Sequence, residues 1–313
     1  MRFQVRIKWT ICAFASLDGA AYMKTKVTIG VCVRNSAATI GEAIESIIDQ
    51  DFSSGLIEVI FVDDGSEDET LASINKHIKQ KSIIAKVFHS TWRGLGASRN
   101  SVVDNASGDY VIWVDGDMVL SRDHVRKQVE FMDAHPEVGI GAGKRGIFPG
   151  QNLIADLENV SFVVYETANE MSDDRLPGTG GSIFRVEVLK QVGGFDANMT
   201  GVGEDLDVAC KIKAAGWLVA RSGAVFFERA RETWLGLWKQ YFWHGYGLKK
   251  LYRQNSKVFS IAKMTPVAAF VGGALRLPSA YREIRGPSVL LLPFHFAFKM
   301  AAWCFGFANN KLA

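Results

Sequence analysis

The chain has 313 residues, 48% hydrophobic and 22% charged, enough for one large domain or two modest ones with a sizeable core. Seven prolines and 30 glycines exclude a fibrous or largely disordered chain. The net charge of +3 hides an asymmetry: residues 239–313 hold eleven Lys and Arg against one acid, Glu283, which gives +10 there and −7 in the preceding 238 residues. An acidic body with a basic, apolar tail points to a membrane-surface or nucleic-acid partner. The four cysteines, Cys12, Cys32, Cys210 and Cys304, form no CxxC pair. That argues against a structural zinc site or a disulfide framework and for a reducing compartment.

Residues Met1 to Tyr22 mix Arg2, Arg6 and Lys8 with a short apolar run, Trp9 to Leu17. The outline is that of a secretory signal, but the run is short and lacks a convincing cleavage site, and Met23 stands directly before the first strand. Residues 1–24 are expected to be a disordered arm or a mis-assigned start. Val27–Val33 reads as a buried strand. Asn35 or Ser36 can cap a helix carrying Ile40, Ile44, Ile47 and Ile48 on one face. Ile57–Val62 reads as a second strand running into Asp63-Asp64-Gly65-Ser66, where Ser66 and Glu69 form a capping box. Ile83–Phe88 is the third expected strand, followed by a helix from Gly96 to Ala106 and a strand at Tyr110–Val114. Ser121 is placed to cap a helix ending near Ala134, and Val138–Ala142 is a further short strand. Alternating strands and helices with short connections predict an α/β fold with a mainly parallel sheet.

In such sheets, ligands bind outside the carboxyl ends of the strands. Arg34-Asn35, Asp63-Asp64 and Asp115-Gly116-Asp117 all fall there. Aspartate after a strand is often only a turn former. Two carboxylates separated by one small residue can also converge on a divalent cation, which prefers oxygen ligands. No GxGxxG follows the first strand, which argues against a dinucleotide fold, and Val138 replaces the first glycine that a P-loop ending in Gly143-Lys144 needs.

These motifs resemble those of family 2 glycosyltransferases, inverting enzymes of the GT-A fold. The resemblance covers about Val27 to Gly247 and rests on five features in the family's order. They are Val27–Asn35, Val62-Asp63-Asp64-Gly65-Ser66, the Gly94–Asn100 stretch ending Ala97-Ser98-Arg99-Asn100, Trp113-Val114-Asp115-Gly116-Asp117, and Gly203-Glu204-Asp205. The resemblance implies a nucleoside-diphosphate sugar donor. Asp64 is expected to bond the base, Arg34 and Asn35 to line the same pocket, and Arg99 to lie near the diphosphate or the neighbouring carboxylates. Asp115, with Asp117 as the more direct ligand, is expected to hold Mg²⁺ or Mn²⁺ against the donor. Asp205 is the implied general base. Glu204, Gly180, Gly181, Trp243 and His244 are the acceptor-side candidates. For His244 the alternative is a ring packed among aromatics.

Two departures qualify the resemblance. Processive synthases of the family carry Gln-x-x-Arg-Trp, where this chain has Gln240-Tyr241-Phe242-Trp243-His244. Phe226-Phe227-Glu228-Arg229 stands where many relatives have a histidine. A single transfer to a glycan or lipid-linked hydroxyl is therefore expected, with transfer to a polyprenyl phosphate or a non-catalytic nucleotide-sugar scaffold as alternatives.

The expected boundaries are 25–230 for the catalytic domain and 231–313 for a basic helical region associated with membrane lipids at the cytoplasmic face. Met264–Leu275, Pro287–Phe298 and Met300–Ala308 are apolar runs, none of them reaching the ~20 residues of a confident span. His295 and Lys299, at i and i+4, share one helix face. A helix lying in the interface, with Lys and Arg reaching head groups, is one expected geometry; a re-entrant hairpin is another. Nucleic acid is not expected, because the basic residues are interleaved with long aliphatic runs.

Overall fold

The computed structural model describes residues 25–81, 85–148, 152–168, 176–199, 202–254, 256 and 259–310. The expected N-terminal arm and Cys12 lie outside these residues. The elements run β1 (Val27–Val33), α1 (Ile40–Ile48), β2 (Ile57–Asp64), α2 (Thr70–Lys81), β3 (Ala85–Ser90), α3 (Leu95–Asn105), β4 (Tyr110–Val114), β5 (Met118–Leu120), α4 (His124–Ala134) and β6 (Val138–Arg145). There follow α5 (Leu153–Ala168), β7 (Ile183–Arg185), α6 (Val186–Gln191), α7 (Glu204–Ala214), β8 (Leu218–Glu228), α8 (Trp234–Gln254), α9 (Pro266–Leu275), α10 (Leu277–Ile284) and α11 (Leu292–Asn309).

Contacts divide the chain into two units. The first holds the described residues up to Lys144 with Leu176–Asn198 and Glu204–Phe227. The second holds the described residues of 145–175, 199–203 and 228–313.

The first unit is built on a sheet ordered β3-β2-β1-β4-β7-β6-β8-β5. β1 pairs in parallel with β2 and β4, and β2 with β3. β7 runs antiparallel to both β4 and β6, so the sheet is mixed beyond its four parallel strands. Alternation along the strands sends Val27, Ile29, Val31 and Val33 to one face, where Ile40, Ile44 and Ile47 of α1 cover them. Cys32, Ile60, Val62 and Trp113 point to the other, against Val102 and Val103 of α3 and Ile212 of α7. Both faces of β1 and β2 are buried, which is why they read as continuous apolar runs.

Three helix starts differ from the sequence expectation. The N-cap of α1 is Thr39, without a side-chain bond, and the Ser36 carbonyl accepts the Thr39 and Ile40 amides instead. Ser66 does not cap α2, because its Oγ accepts the Asn35 N–H (2.9 Å) and the helix starts only at Thr70. Asp68 does that work, accepting the Thr70 amide at 3.0 Å. Ser121 Oγ lies 2.8 Å from both Asp123 Oδ1 and the Val225 carbonyl, to one of which it donates, and α4 begins after Asp123.

The second unit packs α5, α10 and α11 through Leu157, Val160, Val164, Ala280 and Leu292. Leu237 and Tyr241 of α8 pack on Ala302 of α11. α8 and α11 run side by side in the same direction, with Gly245 against Trp303 and Gly306 against Phe242. α9 runs antiparallel to α11: Gly273 faces Pro293, and the Met264 carbonyl accepts from the Cys304 thiol.

Glu158 of α5 lies at the heart of this unit. Its carboxylate meets His295 Nε2 at 2.7 Å and accepts from Lys299 Nζ at 2.8 Å and Tyr241 Oη at 2.8 Å. Lys299 also donates to Ser161 Oγ at 2.7 Å. His295 and Lys299 share one helix face, as expected, but that face is turned into the protein rather than towards head groups. Burial opposes the Glu158 charge, yet Lys299 and His295 outweigh it and hold this carboxyl far below its ordinary range. Pro287–Asn309, 23 residues with a mean hydropathy of 1.5, is long and apolar enough to cross a membrane by length and composition, and 44% of its most apolar stretch is buried inside the structure.

Candidate active site

The carboxyl ends of β1, β2 and β4 carry the polar residues singled out from the sequence. After β1 the chain turns through Asn35, which takes a left-handed conformation (φ 52°), one that asparagine tolerates. The turn is held from the β2 side: Asn35 donates its N–H to Ser66 and accepts the Glu67 N–H through Oδ1 at 2.9 Å. Arg34 is exposed, 3.5 Å from Glu67, with its guanidinium 5.5 Å from the Trp92 ring.

Asp63 and Asp64 end β2 with different partners. Asp63 is fully buried and accepts the Ser66 amide at 3.1 Å, while its other oxygen lies 2.9 Å from His89 Nδ1. Asp64 accepts the Arg93 and Gly94 amides, each at 2.8 Å, and so fastens the loop between β3 and α3. Gly65 stands where a side chain would strike the Trp92 amide, at 2.6 Å from its Cβ.

β4 delivers Asp115 and Asp117 across Gly116. A Cβ at Gly116 would lie 2.8 Å from Ser36 Oγ and 2.9 Å from Val33, so glycine lets the two strand ends approach. Arg99 of α3 is buried beneath them. Its guanidinium pairs with Glu204 at the start of α7 and lies 3.9 Å from Asp115. Trp113 and Phe195 rings flank it at 5.8 Å and 5.6 Å. Burial works against the Arg99 charge, but Glu204, Asp115 and Asp205 outweigh it and its pKa is raised. The second Glu204 oxygen, Oε2, is buried without a hydrogen-bond partner among the described residues.

The glycine segment of residues 178–181 closes the arrangement. Gly181 donates to the Trp113 carbonyl at 2.9 Å and accepts from Gln128 at 2.6 Å, which anchors the segment beside β4. Along it, a Cβ on Gly180 would lie 3.7 Å from Asp115 Oδ2, and one on Gly178 would lie 3.2 Å from Asp205 Oδ2. Two carboxylates from different elements therefore border the same short segment, at glycines on either side of the buried Thr179.

Burial, the largest influence, pushes the Asp115 carboxyl up to about 6, with Asp117 and Asp205 adding to it and Arg99 opposing. Burial likewise pushes Glu204 up to about 7, against Arg99 and with Asp205. The Cys32 thiol on β1 is pushed up to about 12 by burial and is inert as a nucleophile.

The structure thus brings Arg99, Asp115, Gly180, Gly181, Glu204 and Asp205 together, with Arg34, Asn35 and Asp64 on adjacent strand ends of the same unit. Trp243 and His244 belong to α8 in the second unit. Trp243 is exposed, its ring 5.3 Å from Tyr246, and the His244 ring lies 5.3 Å from Tyr241. Trp92, 55% exposed beside Arg34, was not singled out from the sequence. Its signal was an aromatic residue inside the polar connection of residues 91–94. Among the described residues no group of three or more His, Cys, Asp or Glu converges as a metal-binding cluster. Asp115 and Asp117 are a pair of hard oxygen donors. A pair suits a cation that takes its remaining ligands from phosphates and water, as Mg²⁺ does at nucleotide sites.

Residues 28–193 match the family model described as glycosyl transferase family 2. An uncharacterised glycosyltransferase of Haemophilus influenzae is 32% identical over 106 residues, 34% of this chain and 42% of that protein. A cholesterol galactosyltransferase of Borreliella burgdorferi is 38% identical over 94 residues, 30% of this chain and 25% of that protein. The chain thus spans less than half the length of either relative. A mannosyltransferase of Pyrobaculum calidifontis, solved with GDP-Man and Mn²⁺, superposes with a TM-score of 0.67 at 19% identity, covering 96% of this chain and 91% of the other. The mixed sheet with flanking helices is the GT-A fold.

Proposed function

The chain belongs to glycosyl transferase family 2, and from that premise we propose that it moves one sugar from a nucleoside-diphosphate sugar to a hydroxyl of a lipid-linked glycan, with inversion, at the cytosolic face of a membrane. The observation that carries this reading is the glycine segment bordered at Gly178 by Asp205 and at Gly180 by Asp115. Bare backbone admits a sugar ring close to both carboxylates.

In this reading the strand-end loops holding Arg34, Asn35 and Asp64 receive the nucleoside. Arg99, tied to Glu204, keeps Asp115 in place. Asp205 takes the proton of the acceptor hydroxyl. The acceptor oxygen bonds to the anomeric carbon as the bond from that carbon to the diphosphate oxygen breaks, and the electron pair leaves with the nucleoside diphosphate. Asp115 and Asp117 would hold Mg²⁺ or Mn²⁺. When bound, the cation neutralises charge on the diphosphate. The Mn²⁺ and GDP-Man of the Pyrobaculum mannosyltransferase and the cholesterol acceptor named for the Borreliella enzyme support the donor, metal and lipid parts of this reading.

The test is a panel of nucleoside-diphosphate sugars supplied with Mn²⁺ or Mg²⁺ and native lipid extract, scored by nucleoside-diphosphate release. One donor class is expected to turn over, and chelation is expected to stop it. Silence across the whole panel would favour a non-catalytic nucleotide-sugar scaffold.

A further inference from the structure

A helix of a soluble protein normally turns its apolar stripe inward and its polar residues outward. α11 is apolar on both sides: Leu292, Ala302 and Trp303 are buried, and its outer side carries large apolar residues as well. His295 and Lys299 are buried against Glu158, while Phe294 and Phe305 are 62% and 58% exposed. Phe294, Ala297, Ala301, Phe305 and Ala308 recur at helical spacing along the outer side, and none is polar.

α9 extends the same surface. Val267, Phe270, Val271 and Leu275 are exposed, Leu275 at 76%, and the Phe270 ring meets the Phe294 ring at 5.2 Å. Leu290, in the turn before α11, is 67% exposed. Exposed cations stand in the adjoining segments: Lys263 before α9, Arg282 on α10 and Arg285 just after it.

We propose that this face of α9 and α11 docks on an anionic lipid surface. The apolar side chains enter the boundary between head groups and acyl chains, and Lys263, Arg282 and Arg285 meet the lipid phosphates. Charge decides between this occupant and a second copy of the chain. A symmetric dimer sets the same surface against itself, so a net-positive surface would meet a net-positive one, with Glu283 the single acid among residues 239–313. An anionic membrane supplies the missing negative charge. The helix lies on the membrane rather than crossing it, because its inner side is packed on α5 and α8 through Leu292 and Ala302, which leaves only the outer side for lipid. The inference deepens the membrane part of the proposed function and is independent of its chemistry. Flotation reports lipid binding and nucleoside-diphosphate release reports catalysis, so either can fail alone.

The test is flotation of the full chain with phosphatidylcholine vesicles, with and without phosphatidylglycerol, at low and high salt. The protein is expected to float with the anionic vesicles, at least about 10-fold more than with phosphatidylcholine alone, and salt is expected to weaken it. Leu275→Asp with Phe294→Asp is expected to abolish flotation without changing thermal unfolding. Should that variant fail to fold, Arg282→Ala with Arg285→Ala, both exposed, is expected to lower partitioning about 30-fold. Wild-type protein that ignores both vesicle types, or folded variants that float as well as wild type, would overturn the proposal. So would a dimer in sedimentation that the Asp variant converts to monomer, since the face would then belong to a second copy.

Discussion

Both units bury carboxylates against cations, and they balance the charge in opposite ways. In the second unit one carboxylate, Glu158, is met by Lys299, His295, Tyr241 and, through Lys299, Ser161. The Glu158 carboxyl is held far below the ordinary range, while His295 Nδ1 is buried without a hydrogen-bond partner among the described residues. In the first unit a single guanidinium, Arg99, faces Glu204, Asp115 and Asp205, and burial lifts two of those carboxyls to about 7 and about 6. Asp115 also keeps 39% of its side chain exposed. A balanced buried cluster holds elements together and has no need of a ligand. An acidic excess at a solvent edge is electrostatically incomplete, and a divalent cation would complete it.

The contrast can be broken at either end. The largest effect is expected from Asp205→Asn, which removes the proposed base and should lower turnover by ~10²–10⁴-fold with donor binding retained. Near-wild-type release of nucleoside diphosphate would instead point to an acceptor that is already an anion, such as a polyprenyl phosphate. Glu158→Gln should come next. It strands the buried Lys299 ammonium and takes the carboxylate partner from His295, and thermal unfolding should show a loss of about 3–5 kcal/mol. A combined Glu158→Leu, His295→Phe and Lys299→Met change should recover most of that loss, because an apolar replacement leaves no charge unpaired.

The same pair of proteins gives a pH test. The folded-state pKa of Glu158 is depressed, so its contribution is full above the unfolded value of about 4.3 and fades as the pH falls towards the folded one. The stability gap between wild type and Glu158→Gln should therefore narrow only in acid; a gap constant down to strong acid would contradict the cluster. Asp117→Asn should weaken Mn²⁺-dependent donor binding by about 10–100-fold, as seen by titration calorimetry, and unchanged binding would remove it from the metal role. The smallest effect is expected from Asp64→Ala. It orphans the Arg93 and Gly94 amides, should cost about 1–2 kcal/mol, and should speed hydrogen exchange at those amides.

Elements with a strong local signature were legible in the sequence. β1 and β4 fall where the apolar runs placed them, and the strand-end acids lie at one edge of the parallel strands because that topology leaves them nowhere else. Elements whose character is set by distant partners were not legible. β7 has three residues and takes its direction from β4 and β6. β8 mixes Arg221, Ser222 and Gly223 into a half-exposed strand with no alternation to read. α5 carries Glu158, Asn159 and Ser161 inside the protein, and Glu158 finds its partners 137 and 141 residues further on. Ser66 looked like a cap because the pattern fits one. It failed because the turn at Asn35 had a better use for its hydroxyl. Arg99 was placed near the carboxylates by resemblance; its pairing with Glu204 became visible only when α3 and α7 were brought side by side.

Gly245 and Gly306 carry one further consequence. A methyl group on Gly245 would collide with the Trp303 carbonyl, and one on Gly306 with the Phe242 carbonyl. The two glycines therefore act as a ruler that sets the distance between the α8 and α11 axes at backbone-to-backbone contact. Lys249 locks the far end by donating to the Asn310 carbonyl at 2.7 Å. Helices meshed this closely slide or part only by breaking backbone packing, so substituting either glycine forces the two axes apart.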